Sequence, residues 1–185
     1  MNQNTLHRLG NGIGLVIISA LLIIAFATQL FRHDLPCPLC LLQRICFVAI
    51  GLCFCMNLTI GIKPSHYGLM SLSSLLGLGI ALRQIFLHLA PGDPGYGQLL
   101  LGFHMYIWSA IAFTIILLLI ATALLFEQGF IDGRPERRRG KFALMIFFFI
   151  LILANGISTL IECGTLICPD NPIRYELLET INTVN

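Results

Sequence analysis

Between residues 36 and 44 the chain reads Pro-Cys-Pro-Leu-Cys-Leu-Leu-Gln-Arg, which sets Cys37 and Cys40 three apart at the mouth of a long apolar segment. A C-x-x-C pair closes a small, reducible disulfide, and its reactivity follows how well a nearby charge or helix end stabilises the thiolate. The first turn of a membrane helix supplies a positive dipole end, which Cys40 feels more than Cys37. Arg44 lies four residues on, one turn deeper on the same face. A cation in a helix's first turn opposes the dipole, so its presence asks for an anion: a Cys40 thiolate or charge on a reduced acceptor. The competing reading of Arg44 is an interfacial side chain reaching for lipid headgroups. For the cysteines the competing readings are a static disulfide or half of a zinc site, which needs further thiolate or imidazole ligands.

A second pair, Cys163 and Cys168, encloses four residues near the end of the chain. A disulfide closing so short a loop adds modest stability. Exposed on a tail, it suits exchange with another protein, and a structural staple is the alternative. Cys46, Cys53 and Cys55 fall inside the second apolar segment and read as small apolar side chains. Arg83 and His88 approach the outer end of the third segment, where His88 can hydrogen-bond the polar head of a ligand at the depth of Arg44. His104, Tyr106 and Trp108 open the fourth segment and read as an aromatic belt, with Trp108 able to border a ligand groove.

The elements that carry these residues follow from composition. The chain has 185 residues, 57% hydrophobic and 11% charged, with mean hydropathy +0.87. A soluble domain carries about 25% charged residues. Apolar runs at 13–31, 45–62, 67–89, 103–126 and 142–161 each approach the ~20 residues that cross a bilayer core. Backbone groups in lipid must be satisfied within the segment, so the runs predict helices. The fold class is an all-α membrane protein: a four-helix bundle plus a fifth transmembrane helix, forming one integral membrane domain over 1–185. The first run exceeds a signal-peptide core and lacks a small-residue cleavage pattern, so a retained helix is expected.

Seven of the eleven Lys and Arg, including Arg134, Arg137, Arg138, Arg139 and Lys141, fall on one face of a five-helix arrangement. That face is predicted to be cytoplasmic. The N-terminus is then inside, and the tail 162–185 is outside with both cysteine pairs. The outer face of a bacterial inner membrane is where disulfides persist. The net charge of +2 reflects this asymmetry and gives no reason to invoke nucleic acid. Residues 91–97 are a run of turn formers, and the apolar spacing within 173–181 suits a short helix on the membrane surface.

Over residues 8–126 the chain resembles the disulfide bond formation protein B (DsbB) family of membrane quinone reductases. The resemblance rests on Cys37-Pro38-Leu39-Cys40-Leu41-Leu42-Gln43-Arg44, and more weakly on the segment from Arg83 to His88 before a Pro-containing loop. It implies a thiol oxidase that reoxidises a periplasmic thioredoxin-fold dithiol protein of the DsbA kind. Electrons would pass through Cys37 and Cys40 to ubiquinone or menaquinone. Cys40 would face the quinone, Arg44 would assist, and His88 would be a further contact. The family carries its second cysteine pair between helices three and four. Here residues 90–102 contain no cysteine, and Cys163 with Cys168 on the same outer face is the replacement. A reductase resembling vitamin K epoxide reductase, and a non-catalytic membrane protein with structural disulfides or a thiol metal site, are the rival expectations.

Overall fold

The computed structural model describes residues 3–32, 34–125 and 139–164, together with 168, 175 and 177. Five helices account for nearly all of it: α1 (Gln3–Arg32), α2 (Pro38–Thr59), α3 (Pro64–Leu87), α4 (Met105–Leu125) and α5 (Arg139–Cys163). Each is long and apolar enough to cross a membrane. Large side chains such as Ile17, Leu76, Leu118 and Ile150 point outward and are half exposed or more. An aqueous surface would penalise that arrangement, whereas lipid does not. The basic segment 126–138 and most of the expected surface helix at 173–181 lie outside the described residues.

Local chemistry sets the helix ends. Hydropathy starts the second helix at residue 45, but α2 begins at Pro38. Pro38 occupies the first helical position, where a missing N–H costs nothing. Cys37 is the N-cap, and its sulfur accepts the amide of Cys40. The C-x-x-C is therefore the first turn of the helix rather than a lead-in to it. Pro64 opens α3 in the same way. That helix stops at Leu87, leaving His88 as its C-cap.

α2 packs on α1 and α3, α3 on α4, and α5 on α1 and α2. The core along the seam holds Leu15, Ile18, Leu22, Phe47, Ile50, Met70, Phe113 and Phe148. Phe47 and Phe113 stack with ring centroids 4.1 Å apart. Gly51 admits the ring of Phe148, since any Cβ there would collide with it; this lets α5 approach α2 closely. One end of the bundle is tied by Asn57, which donates to Asn11 at 2.7 Å and meets His66 at 2.7 Å.

At the other end, the run of turn residues after α3 leads into a small hairpin that sequence patterning misses. β1 (Leu99–Leu100) pairs antiparallel with β2 (Phe103–His104) through Leu101 and Gly102. Both turn residues have positive φ, 51° and 86°, the geometry of a tight two-residue hairpin turn. Arg32 donates to the Leu99 carbonyl at 3.3 Å, Tyr96 to that of Leu35 at 2.7 Å and Trp108 to that of Leu100 at 2.9 Å. The loop is thus fastened to the ends of α1 and α4 and to the segment that precedes α2.

Candidate functional site

The sulfurs of Cys37 and Cys40 lie 2.8 Å apart and share a hydrogen bond. Both are free thiols in this structure. Cys37 is buried, whereas Cys40 is partly open. The amide of Cys40 donates to the Cys37 sulfur at 3.2 Å. From α3, Gln84 Nε2 donates to Cys37 at 3.2 Å and to Cys40 at 3.4 Å. Gln43 Nε2 in turn donates to Gln84 Oε1 at 2.8 Å, which fixes the orientation of the Gln84 amide. The hydrogen bond with Cys40, and then burial, push the Cys37 thiol above its usual range. In such a pair Cys37 holds its proton, and the donors around it favour negative charge on its neighbour.

Arg44 points into the bundle. Its guanidinium donates to Gln29 Oε1 at 2.9 Å, to the Ala25 carbonyl at 2.9 Å and to Asn155 Oδ1 at 3.4 Å. Gln29 Nε2 donates onward to Ser158 at 2.9 Å and to Glu162 at 3.2 Å. Three helices therefore hold one cation: α2 carries it, α1 accepts from it, and α5 adds Asn155, Ser158 and Glu162.

A cavity of about 390 Å³ opens beside the pair. Cys40, Gln43 and Arg44 are among its polar lining residues, and Leu21, Ile24, Phe47, Ile111 and Ile115 are among its apolar ones. Tyr96, Leu100 and Leu101 of the outer loop close one end. Burial pushes the Tyr96 phenol upward, so it stays neutral there. Volume and polarity suit a flat ring with polar atoms at one edge and an apolar tail.

The structure brings Cys37, Cys40 and Arg44 together and leaves His88 apart. His88 is not among the cavity-lining residues. Its imidazole meets Asp93 at 3.1 Å and stacks on Tyr106 with centroids 5.7 Å apart. The amide of Gly95 and then His88 hold the Asp93 carboxyl below its usual range. The expected polar contact from His88 is met by this acid in the loop. Trp108 does line the cavity, where belt character alone was the simpler reading.

Cys163 and Cys168 form a disulfide, with Cα atoms 4.6 Å apart. Cys163 is the last residue of α5, and Gly164 follows with φ of 64°. Its amide donates to the Leu160 carbonyl at 2.9 Å, a helix-ending turn that folds the chain back toward Cys163. Cys163 adjoins Glu162, so the same helix end bears the disulfide and the deepest partner of the Arg44 network.

Sequence reading missed Gln29, Gln84, Asn155, Ser158 and Glu162. Each is a polar residue in a largely apolar helix, a signal that was present but that by itself names no partner.

Residues 7–98 match the family model of disulfide bond formation protein DsbB. A disulfide bond formation protein B of Xanthomonas euvesicatoria pv. vesicatoria is 33% identical over 86 residues, covering 44% of this chain and 50% of the relative. One from Xylella fastidiosa (strain Temecula1) is 35% identical over 83 residues, 42% of this chain and 48% of the relative. The chain thus spans about half the length of the curated relatives it matches. No solved structure matches it. The matched stretch contains Cys37, Cys40, Arg44 and Gln84 and stops short of α4 and α5.

Proposed function

The chain belongs to the DsbB family, and from that premise we propose that it is a membrane thiol oxidase. It oxidises a thioredoxin-fold dithiol protein outside the membrane and passes the electrons through Cys37 and Cys40 to a membrane quinone, ubiquinone or menaquinone. The observation that carries this reading is that Cys40 and Arg44 share one wall of an apolar cavity while Cys37 stands behind Cys40 at hydrogen-bond distance. The apolar walls fit a ring and an isoprenoid tail, and Gln43 and Arg44 could donate to ring oxygens. A bound quinone supplies the capacity to take up two electrons and two protons.

The residues divide the remaining work. The partner's two thiols give two electrons to the Cys163–Cys168 disulfide, and a disulfide forms in the partner as the tail bond breaks. The reduced tail then passes its electrons to a disulfide between Cys37 and Cys40 by thiol exchange. The resulting dithiol faces the cavity through Cys40. Gln84 donates to both sulfurs and steadies negative charge on them, and Arg44 adds a full positive charge alongside. The Lys and Arg asymmetry supports a cytoplasmic N-terminus and a periplasmic tail in a bacterial inner membrane.

The test is purified full-length chain in lipid, given a reduced thioredoxin-fold donor with ubiquinone or menaquinone analogues. Quinone absorbance should fall as donor disulfide appears, at two electrons per quinone. Turnover of the cysteines without loss of quinone would overturn the reading. Consumption of a vitamin K epoxide in its place would assign chemistry like that of the epoxide reductases.

A further inference from the structure

The five membrane spans contain a single carboxylate, Glu162, in the last turn of α5. Acids at such positions are rare and have a partner or a task. Glu162 is fully buried. Its Oε2 accepts from Gln29 Nε2 at 3.2 Å, and its Oε1 has no partner among the described residues. Arg44 only donates hydrogen bonds, so it obliges Gln29 to present Oε1 to it and thereby Nε2 to Glu162. Gln29, also fully buried, links the guanidinium to the carboxyl group. Arg44 meanwhile stands on the cavity wall next to Cys40. One cation therefore serves two ionisable groups, the Cys40 thiol and the Glu162 carboxyl, in surroundings where an uncompensated charge is costly.

We propose that Glu162 is the counter-charge that the fifth helix supplies to Arg44, and that it exchanges a proton with the Cys37/Cys40 pair whenever the pair changes redox state. When the disulfide is reduced, its S–S bond breaks and two electrons and two protons arrive. One proton stays on Cys37. The other goes to Glu162 instead of Cys40, whose thiolate keeps Arg44. On oxidation the S–S bond re-forms, the two electrons and both protons leave with the acceptor, and Glu162 is left ionised opposite Arg44. The charged and titratable groups acting on Glu162 are Arg44 and Cys40 of α2, and it acts in turn on Tyr96 of the outer loop. α1 faces it with the neutral Gln29, and Ser158 of its own helix meets the same amide. Glu162 is a positioning residue, since it reaches the sulfurs through Gln29 and Arg44. The proposal rests on the redox reading of the pair but needs neither quinone nor protein partner.

Infrared difference spectra of the full chain in lipid, poised with reduced and oxidised glutathione, test it. The carbonyl band of a protonated buried acid should grow on reduction and vanish in Glu162→Gln. The equilibrium of the pair with glutathione, followed against pH by mass spectrometry of the Cys40 peptide, should depend on pH about tenfold less per pH unit in Glu162→Gln, because reduction then takes up one proton fewer. Glu162→Asp should keep the native pH profile. If Glu162→Gln fails to assemble, the spectrum of the unsubstituted chain decides, since the spans hold no other carboxyl. A pair that does not equilibrate with glutathione overturns the redox reading itself. A pair that cycles with no carboxyl band, or with the same pH dependence in Glu162→Gln, overturns the role of Glu162 alone.

Discussion

Cys37 and Cys40 bracket the first turn of α2, whereas Cys163 closes the last turn of α5 and pairs beyond it with Cys168. A helix start favours negative charge and a helix end disfavours it. At the α2 start the Cys40 thiolate gains the dipole, a hydrogen bond from Gln84 Nε2 and a nearby guanidinium. At the α5 end it gains none of these from the helix. Stabilising a thiolate stabilises the reduced form and makes a pair more oxidising. The proposed relay accordingly has the α2 pair as the stronger oxidant and the tail pair as the more persistent disulfide. Electrons placed on the tail would run downhill to the α2 pair, the direction the proposed relay needs. The same contrast explains why the tail could act as a staple if no partner uses it.

The severest way to break this contrast is to remove Cys40. Cys40→Ser should abolish acceptor reduction with every donor, protein or small dithiol, while the tail disulfide still forms. Stopped-flow quinone absorbance and thiol counting read the two halves separately. Residual quinone turnover would mean that the tail reaches the acceptor unaided. Next in size is the double variant Cys163→Ser, Cys168→Ser. It should fold and reduce quinone from a small dithiol, yet fail to oxidise the protein donor. Normal oxidation of that donor would reduce the tail pair to a staple, with the partner attacking Cys37 directly.

Arg44→Ala should slow quinone use roughly ten- to a hundredfold, since it deletes a charge-assisted contact of ~1.5–3 kcal/mol. Arg44→Lys should rescue part of this, because Lys lacks the planar fork that meets Gln29, Ala25 and Asn155 together. Unchanged kinetics in Arg44→Ala would make it a structural residue and remove half of the contrast. Gln84→Leu should cost roughly three- to tenfold, the loss of neutral hydrogen bonds to the two sulfurs. Its signature is selective: the Cys37/Cys40 pair should become less oxidising in glutathione titrations while the tail pair titrates as before. The smallest effect is expected at His88. His88→Ala should leave the KM for quinone within about twofold, as for a substitution away from the site. A larger rise would bring His88 back as a direct contact.

The parts of this site that the sequence makes legible are local ones. Cys37, Cys40 and Arg44 lie within eight residues, and their relation follows from one helix and its cap. The five helices are equally plain, because lipid demands long apolar runs. What joins the site across the bundle is not plain. Gln84 lies 44 residues from Cys40, and Asn155 lies 111 from Arg44. No periodicity links such positions, since packing chooses the partner of each polar residue. His88 shows the converse: near in sequence to the right helix end, it turns to Asp93 five residues on. The outer hairpin escaped notice because strands of two residues leave no alternating pattern.

The docking of α5 has an evolutionary reading. Among the described residues the cavity walls come from α1, α2, α4 and the loops beside them, and none from α5. The family match likewise ends before this helix begins. A lineage could therefore acquire the last helix, or lose it, without reshaping the cavity beside Cys40. Gly51 offers the seat for Phe148, and Gln29 offers the amide for Glu162. Relatives without the helix should show the mark of its absence at these two host positions, with a larger side chain filling the first and no need for an amide at the second.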